Sequence, residues 1–328
     1  MKAIAYEQPE TLRLVEQPHP TPGPFDLILK VEYCGICGTD ILASKGLWGA
    51  KKGDILGHEF VGTIEAIGSK VQHQWTLGER VIALPFISCG WCPVCLKGRP
   101  FECQKRQIVS QDSPGAFAQY VRVGSRESIK VPEDISPQIA ALVEPLAVGV
   151  HGLLRAQFKA GERIHVMGAG PIGLGVMMWA DYLGAKSITF TEPQDHRAAM
   201  AVNLGATRLA PGSQSSFNCD LMIECVGKPT MIDQAIQSAP FGSRVLILGV
   251  CATPDTFIPA VALRKELTLY FADAYTQHDF ERTLLAMGDP AFDPDPMITH
   301  VIGLEELPAY LASSIQSNKN IKTLVKPP

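Results

Sequence analysis

An α/β fold built from two domains is the architecture this 328-residue sequence predicts, on three observations. The first third is a series of short β-branched runs, such as Leu27–Glu32, Val61–Ala66 and Arg80–Leu84, cut by Gly, Pro and Asp turns. From Arg163 to about Phe271, strand-like runs ("RIHVMG", "SITFTE", "LMIECVG", "RVLILGV", "ELTLYF") alternate with helical ones ("GLGVMMWADYLG", "DHRAAMAVNLG", "TMIDQAIQSA"). Such alternation predicts a doubly wound parallel sheet with helices on both faces. Third, a glycine-rich junction opens that alternation. Between the two regions, a helical stretch begins near Pro137 and runs through "QIAALVEPLAVGVHGLLRAQ". After Tyr275 come two more helical stretches and a closing strand, "KTLVKP".

Composition narrows the function classes. With 46% hydrophobic and 19% charged residues the chain reads as an ordinary globular protein. A net charge of -4, with Lys and Arg scattered, offers no footprint for nucleic acid or an anionic membrane. The longest apolar stretch, Ile164 to Gly184, is broken by glycines, Pro171 and Asp181, which suits strand, turn and helix better than a membrane span. No signal peptide is readable in "MKAIAYEQPETLRL", so the cytoplasm is the expected location and the nine cysteines are expected to be thiols.

The glycine-rich junction is "RIHVMGAGPIGLGVMMWA", with Gly168, Gly170 and Gly173 in G-x-G-x-x-G spacing and Pro171 and Ile172 inside the turn. It follows an apolar run, opens a helical one, and has an acidic residue, Glu192, at the end of the next strand, as a dinucleotide-binding fingerprint requires. Gly168 permits a tight turn, Gly170 a close approach of the backbone to pyrophosphate, and Gly173 close packing of helix on strand. The helix N-terminus then offers free N–H groups to the phosphates. Glu192 is expected to bind the adenosine ribose and to repel a 2′-phosphate, favouring NAD over NADP. Arg197 is a candidate for a phosphate, or a solvated helix residue.

Two further groups carry metal chemistry. "SCGWCPVCLKGRPFEC" places Cys89, Cys92, Cys95 and Cys103 as C-x2-C-x2-C-x7-C, suited to a closed tetrahedral zinc site. A ferredoxin-type iron–sulfur run starts the same way but continues with three residues and then Cys-Pro; here seven residues intervene and Gln104 follows. Four thiolates leave no open position, so this site is structural. Separately, Cys37 in "GICGTD" and His58 in "ILGHEF" are candidate ligands of an open, catalytic zinc site, with carboxylates available at Glu59 and Glu144. Taken singly, each has a plainer explanation: a buried cysteine, a structural histidine, an acidic residue in a first helical turn. Cys34, separated from Cys37 by two residues, reads not as its redox or metal-binding pair but as a small residue on the strand leading in.

Together these stretches resemble the zinc-dependent medium-chain alcohol dehydrogenases, especially the sorbitol, threonine and butanediol dehydrogenase branch. The resemblance rests on "GICGTD", "GHEFVGTIEAIG", the four-cysteine loop, "GAFAQYV", "EPLAV", "VMGAGPIGLG", "ECVGKP", "KELTLYFADAYTQHDFE" and "ITHVIGLEELPAY", in that order. It implies a GroES-like β-rich catalytic domain over 1–145, completed by 273–328, with a Rossmann NAD-binding domain over 146–272. It also implies two zinc ions per chain. Cys37 and His58 would hold the catalytic one, with Glu59, Glu144 or a water completing the shell. Thr39 would contact the substrate oxygen and carry its proton outward, and Asp40 would orient a ligand. The implied reaction is hydride transfer between NAD(H) and a secondary alcohol or ketone, with polyols and vicinal diols among the candidate substrates and zinc as Lewis acid. A homodimer or homotetramer is implied as well, pairing through the "RVLILGV…LTLYF" edge of the sheet.

Two departures from the family pattern stand out. Leu42 occupies the position where many relatives carry a relay histidine, and Glu192 stands where aspartate is commoner. The competing readings are a zinc-independent enone reductase on the same scaffold, against which Cys37, His58 and the four cysteines count, and a dinucleotide-binding sensor, toward which Leu42 alone points.

Overall fold

The computed structural model describes residues 1–72, 74–210, 217–314 and 320–328. They form two compact units. One comprises Met1–Glu144, Thr276–Gly288 and Ile298–Pro328; the other comprises Pro145–Tyr275 and Asp289–Met297. Among the described residues no helix is long and apolar enough to cross a membrane.

In the first unit the hub is the strand Asp26–Gly35. Leu27, Ile28 and Leu29 are all fully buried, so both faces of this strand are covered and its sequence runs apolar without alternating. It pairs antiparallel with Glu59–Ile67 along its length, with Tyr120–Gly124 at its start and with Lys322–Lys326 at its end. Arg80–Ala83 and Ser128–Lys130 extend the sheet on one side, and Ile298–Gly303 lies parallel to Lys322–Lys326 on the other. That last strand was not evident from the sequence pattern. Cys34 sits in the core with Leu29, Phe60, Phe117 and Val325, and burial pushes its thiol well above the usual range, so it is inert.

The expected single helix after Pro137 is two: Pro137–Ala140 and Val143–Arg155. Pro145 is the reason. It fits the first turn of the second helix but its ring and missing N–H cannot continue a helix arriving from residue 141.

The second unit is a six-stranded parallel sheet in the order Thr207–Arg208, Ser187–Thr191, Arg163–Met167, Leu221–Glu224, Arg244–Ile247, Thr268–Phe271. The order reverses between Arg163–Met167 and Leu221–Glu224, the switch point at which such sheets bind dinucleotides. Residues Asp289–Met297, placed by the sequence reading in the returning catalytic segment, belong to this unit: Phe292 is buried with its ring 4.5 Å from that of Trp179 and 5.4 Å from that of Tyr182.

One buried polar residue gives this sheet a pH dependence. His165 is fully buried on the strand Arg163–Met167 and stacks on Phe217. Its Nδ1 is 2.9 Å from the Thr189 hydroxyl, which itself donates to the Ile164 carbonyl, and its Nε2 is 3.4 Å from the Thr191 hydroxyl. The network therefore uses the imidazole as one donor and one acceptor, the neutral form. Burial pushes its pKa down to about 4. An unfolded chain takes up this proton near pH 6.5, so the stabilisation is complete above that pH and is lost as pH falls toward 4, by about 3 kcal/mol. Urea unfolding of the wild type should lose about that much more stability between pH 7 and pH 4 than His165→Leu does. Parallel pH curves for the two proteins would refute the assignment.

Candidate active site and structural metal centre

The antiparallel register places Gly35 opposite Glu59 and Leu324 opposite Gly35, so three chain segments remote in sequence converge at one end of the hub strand. Just beyond that end, Cys37 caps the helix Gly38–Ser44. Asp40, 2% exposed, ties the corner together: one carboxylate oxygen accepts from the Cys37 N–H at 2.9 Å, the other from the Gly57 N–H at 3.1 Å. The second oxygen also lies 3.5 Å from His58 Nδ1. A carboxylate on one ring nitrogen fixes the ring and leaves the other nitrogen to bind a metal.

The donor atoms of Cys37, His58 and Glu59 all lie within 4.8 Å of one another. A thiolate, an imidazole and a carboxylate at that spacing suit zinc. Burial disfavours a charged His58, but the Asp40 carboxylate and Cys37 outweigh it and hold the pKa well above the usual range. Thr39, half-buried, is in the first turn of the same helix, and Leu42 follows one turn on. Glu144, half-buried at the start of Val143–Arg155, lies outside the three-residue cluster.

The sequence reading missed Lys322. This lysine, 1% exposed, donates to both Glu59 oxygens at 2.7 and 2.6 Å and to the Ile36 carbonyl at 3.1 Å, using all three ammonium protons. Burial works against its charge, but Glu59, Cys37 and, more weakly, Glu144 more than offset it and raise its pKa. Gly35 makes the pair possible, because a Cβ there would overlap the Glu59 carboxylate. A cation at the start of "KTLVKP" was visible in the sequence, but nothing there told which anion it would meet.

The four cysteines also converge. Sγ separations are 3.4 Å for Cys92–Cys95 and 3.9 Å for Cys89–Cys95 and Cys92–Cys103. The edge of a tetrahedron with zinc–sulfur bonds of about 2.3 Å is about 3.8 Å, so the cage fits that ion. A backbone N–H from Trp91 helps lower the Cys89 thiol to about 6, in keeping with a thiolate ligand.

In the second unit, Gly168 (φ +94°) makes the turn out of Arg163–Met167, and Gly170 caps the helix Pro171–Tyr182, with Pro171 at its first position and Ile172 next. A Cβ on Gly173 would overlap the Gly168 carbonyl, so only glycine lets helix and strand pack this closely. Glu192, 4% exposed, accepts from the Ala169 N–H and the Gln194 N–H, both at 2.9 Å, and so braces the glycine turn. The Arg197 guanidinium reaches over Gly170. Arg208, unnoticed in the sequence, donates to the Glu192 carbonyl and to Asp195, each at 2.8 Å, and adds a second cation beside the acidic residue.

Comparison with known proteins agrees with this arrangement. The family model described as "Alcohol dehydrogenase GroES-like domain" matches residues 23–133, and that described as "Zinc-binding dehydrogenase" matches residues 171–288. The chain belongs to the zinc-dependent medium-chain alcohol dehydrogenases. Within that family it is 30% identical over 338 residues to 2-dehydro-3-deoxy-L-galactonate 5-dehydrogenase of Pseudoalteromonas atlantica, covering 99% of this chain and 98% of that protein. Two solved structures are also similar. A putative zinc-binding dehydrogenase from Sinorhizobium meliloti bound to NADP is 30% identical, with TM-score 0.89 and 99% of both chains covered. The 2R,3R-butanediol dehydrogenase of Bacillus subtilis is 26% identical, with TM-score 0.88, covering 100% of this chain and 99% of that one. As a member of this family the chain is a zinc-containing, NAD(P)-dependent oxidoreductase acting on CH–OH groups, of the secondary alcohol and polyol type.

Proposed function

We propose that this dehydrogenase interconverts a secondary alcohol bearing a neighbouring hydroxyl and its ketone, with the chemistry centred on Cys37 and His58. The observation that carries the reading is the Cys37–His58–Glu59 cluster braced by Asp40, an open donor set distinct from the closed four-cysteine cage. The relatives named for a sugar-acid and a diol substrate support the choice of substrate class. Cys37 and His58 would hold the catalytic zinc, with Glu59, Glu144 or a water completing the shell, and Lys322 competes with the metal for Glu59. When bound, zinc lowers the pKa of an oxygen it touches and polarises a carbonyl. Thr39 would accept a hydrogen bond from the substrate hydroxyl and take its proton while passing its own hydroxyl proton outward to water, and Asp40 holds His58 in the ligating orientation. Cys89, Cys92, Cys95 and Cys103 hold the structural zinc.

Gly168, Gly170, Pro171, Ile172 and Gly173 cradle the pyrophosphate, Arg197 contacts a phosphate, and Glu192 meets the adenosine ribose, which favours NAD. Arg208 tempers that preference, since it places a cation beside Glu192. The edge strand Thr268–Phe271, with Phe271 58% exposed, suits pairing into a homodimer or homotetramer. A cytoplasmic location suits cysteines that must remain thiolates to hold metal.

An assay of zinc-loaded protein with NAD or NADP against simple alcohols, vicinal diols, polyols and sugar acids tests the reading. Turnover is expected with a hydroxyl-bearing secondary alcohol, at higher kcat/KM with NAD. Activity confined to primary alcohols or to enone reduction would overturn the substrate class.

A further inference from the structure

The motif "ECVGKP" has no role in the account above, yet its glutamate is among the most enclosed charges in the protein. Glu224 ends the strand Leu221–Glu224 and is 1% exposed. Its Oε1 accepts from the Val226 N–H at 2.6 Å and the Gly227 N–H at 2.9 Å. Its carbonyl accepts from the N–H groups of Leu248 and Gly249, at 2.9 and 3.0 Å, in the loop after the neighbouring strand Arg244–Ile247. The two loops meet around it. A Cβ on Gly249 would overlap both the Glu224 carboxylate and the Gly227 nitrogen, and one on Gly227 would lie 2.6 Å from the Val250 nitrogen. One residue thus joins two strand-end loops into a single ledge. Outside the ledge a second carboxylate continues the clamp: Asp255 Oδ1 accepts from Thr230 and Thr256, both at 2.8 Å, and holds Thr230 at φ +73°, a conformation costly for a β-branched residue.

The place of the ledge gives it a meaning. It lies at the carboxyl ends of parallel strands, on the far side of the switch point from Glu192. It also abuts the pyrophosphate turn: the Cys225 N–H donates to the Met167 carbonyl at 3.0 Å, and a Cβ on Gly168 would lie 2.9 Å from a Val226 methyl. A dinucleotide with its adenosine by Glu192 and its pyrophosphate on the glycine turn must run its other half toward residues 225–227 and 248–250. We propose that Glu224 is a positioning residue for the nicotinamide half of the dinucleotide, its buried carboxylate setting the ledge against which the nicotinamide riboside rests. Glu224 itself does not touch the ring; it acts through the backbone of Val226, Gly227 and Gly249. This inference rests on the dinucleotide site proposed above.

Zinc-loaded Glu224→Ala and Glu224→Gln proteins, compared with wild type, test it through two probes. NADH carries both halves, whereas ADP lacks the nicotinamide riboside. The alanine variant is expected to bind NADH about 10-fold more weakly, about 1.4 kcal/mol, with ADP affinity within twofold of wild type. The glutamine variant, which keeps an acceptor for Val226 and Gly227, is expected to fall between, with the KM for NADH rising more than kcat falls. Should the alanine variant not fold, the glutamine variant carries the test by the same ratio. Equal weakening of NADH and ADP, or unchanged NADH binding in a folded variant, overturns the positioning role. A wild type that binds neither probe overturns the dinucleotide reading itself.

Discussion

Cys37→Ser is expected to lower kcat/KM on the best substrate by at least about 10³-fold, and to reduce the zinc content from two ions per chain to one. The rate estimate follows from the several kcal/mol of charge stabilisation that a Lewis-acidic metal contributes, about 4 kcal/mol corresponding to that factor. The metal count follows from geometry. Cys37 is the thiolate of an open cluster whose other donors are an imidazole and a carboxylate already bound by Lys322. A serine hydroxyl is a poor ligand, and the remaining pair cannot keep zinc against dilution. The four-cysteine cage shares no residue with this cluster, so its ion should stay. The fold should stay as well, because Asp40 bonds to the backbone N–H at position 37 and not to its side chain. Elemental analysis and steady-state kinetics read the two effects together. Full activity in the variant, or loss of both metals, would remove Cys37 from the catalytic zinc.

Lys322→Met is expected to destabilise the first unit by about 3–5 kcal/mol, the usual cost of leaving a buried charge without its partner. Glu59 is 1% exposed, and its two oxygens both accept from the Lys322 ammonium. Without that cation the buried carboxylate is left beside the Cys37 thiol with no positive partner, and it must either take a proton or open the corner. Adding Glu59→Gln should recover most of the loss, since it removes the stranded charge. Urea unfolding followed by tryptophan fluorescence suits the measurement, because Trp48, Trp75 and Trp91 lie in this unit and Trp179 alone in the other. A loss below about 1 kcal/mol would mean that solvent reaches the pair and that the ion pair is a surface one in energetic terms. The same variant should also alter metal affinity, as Glu59 would then be free to compete for the zinc.

What could be read before any coordinates were known follows a physical line. The glycine turn, Glu192 one strand later and the four-cysteine loop are each held within a stretch of about 25 residues or fewer, where spacing along the chain nearly sets spacing in space. The parallel sheet was legible for the same reason, since each strand–helix unit is local and buried strands read as continuous apolar runs. Where local pattern misled, the cause was also local chemistry: Pro145 divided a stretch that apolar periodicity had made continuous, and Phe292 carried Asp289–Met297 into the second unit by packing on Trp179.

The candidate catalytic corner is of another kind. Family resemblance pointed to Cys37, His58 and the two glutamates, but chain spacing alone left a plain structural explanation for each. Only the register of the hub strand decides that position 35 stands between Glu59 and Leu324, and so that Lys322 takes hold of Glu59 while Glu144 stays outside the cluster. Glu224 shows the same division: the sequence supplies a carboxylate at a strand end, and the packing of two loops makes it their joint. The sequence by itself determined the fold class, the glycine turn and the closed cysteine cage, because their parts are neighbours along the chain. The tertiary structure alone decided which buried charges meet, because strand pairing between residues hundreds apart depends on the packing of the whole sheet, and a shift of one residue would turn every side chain to the other face.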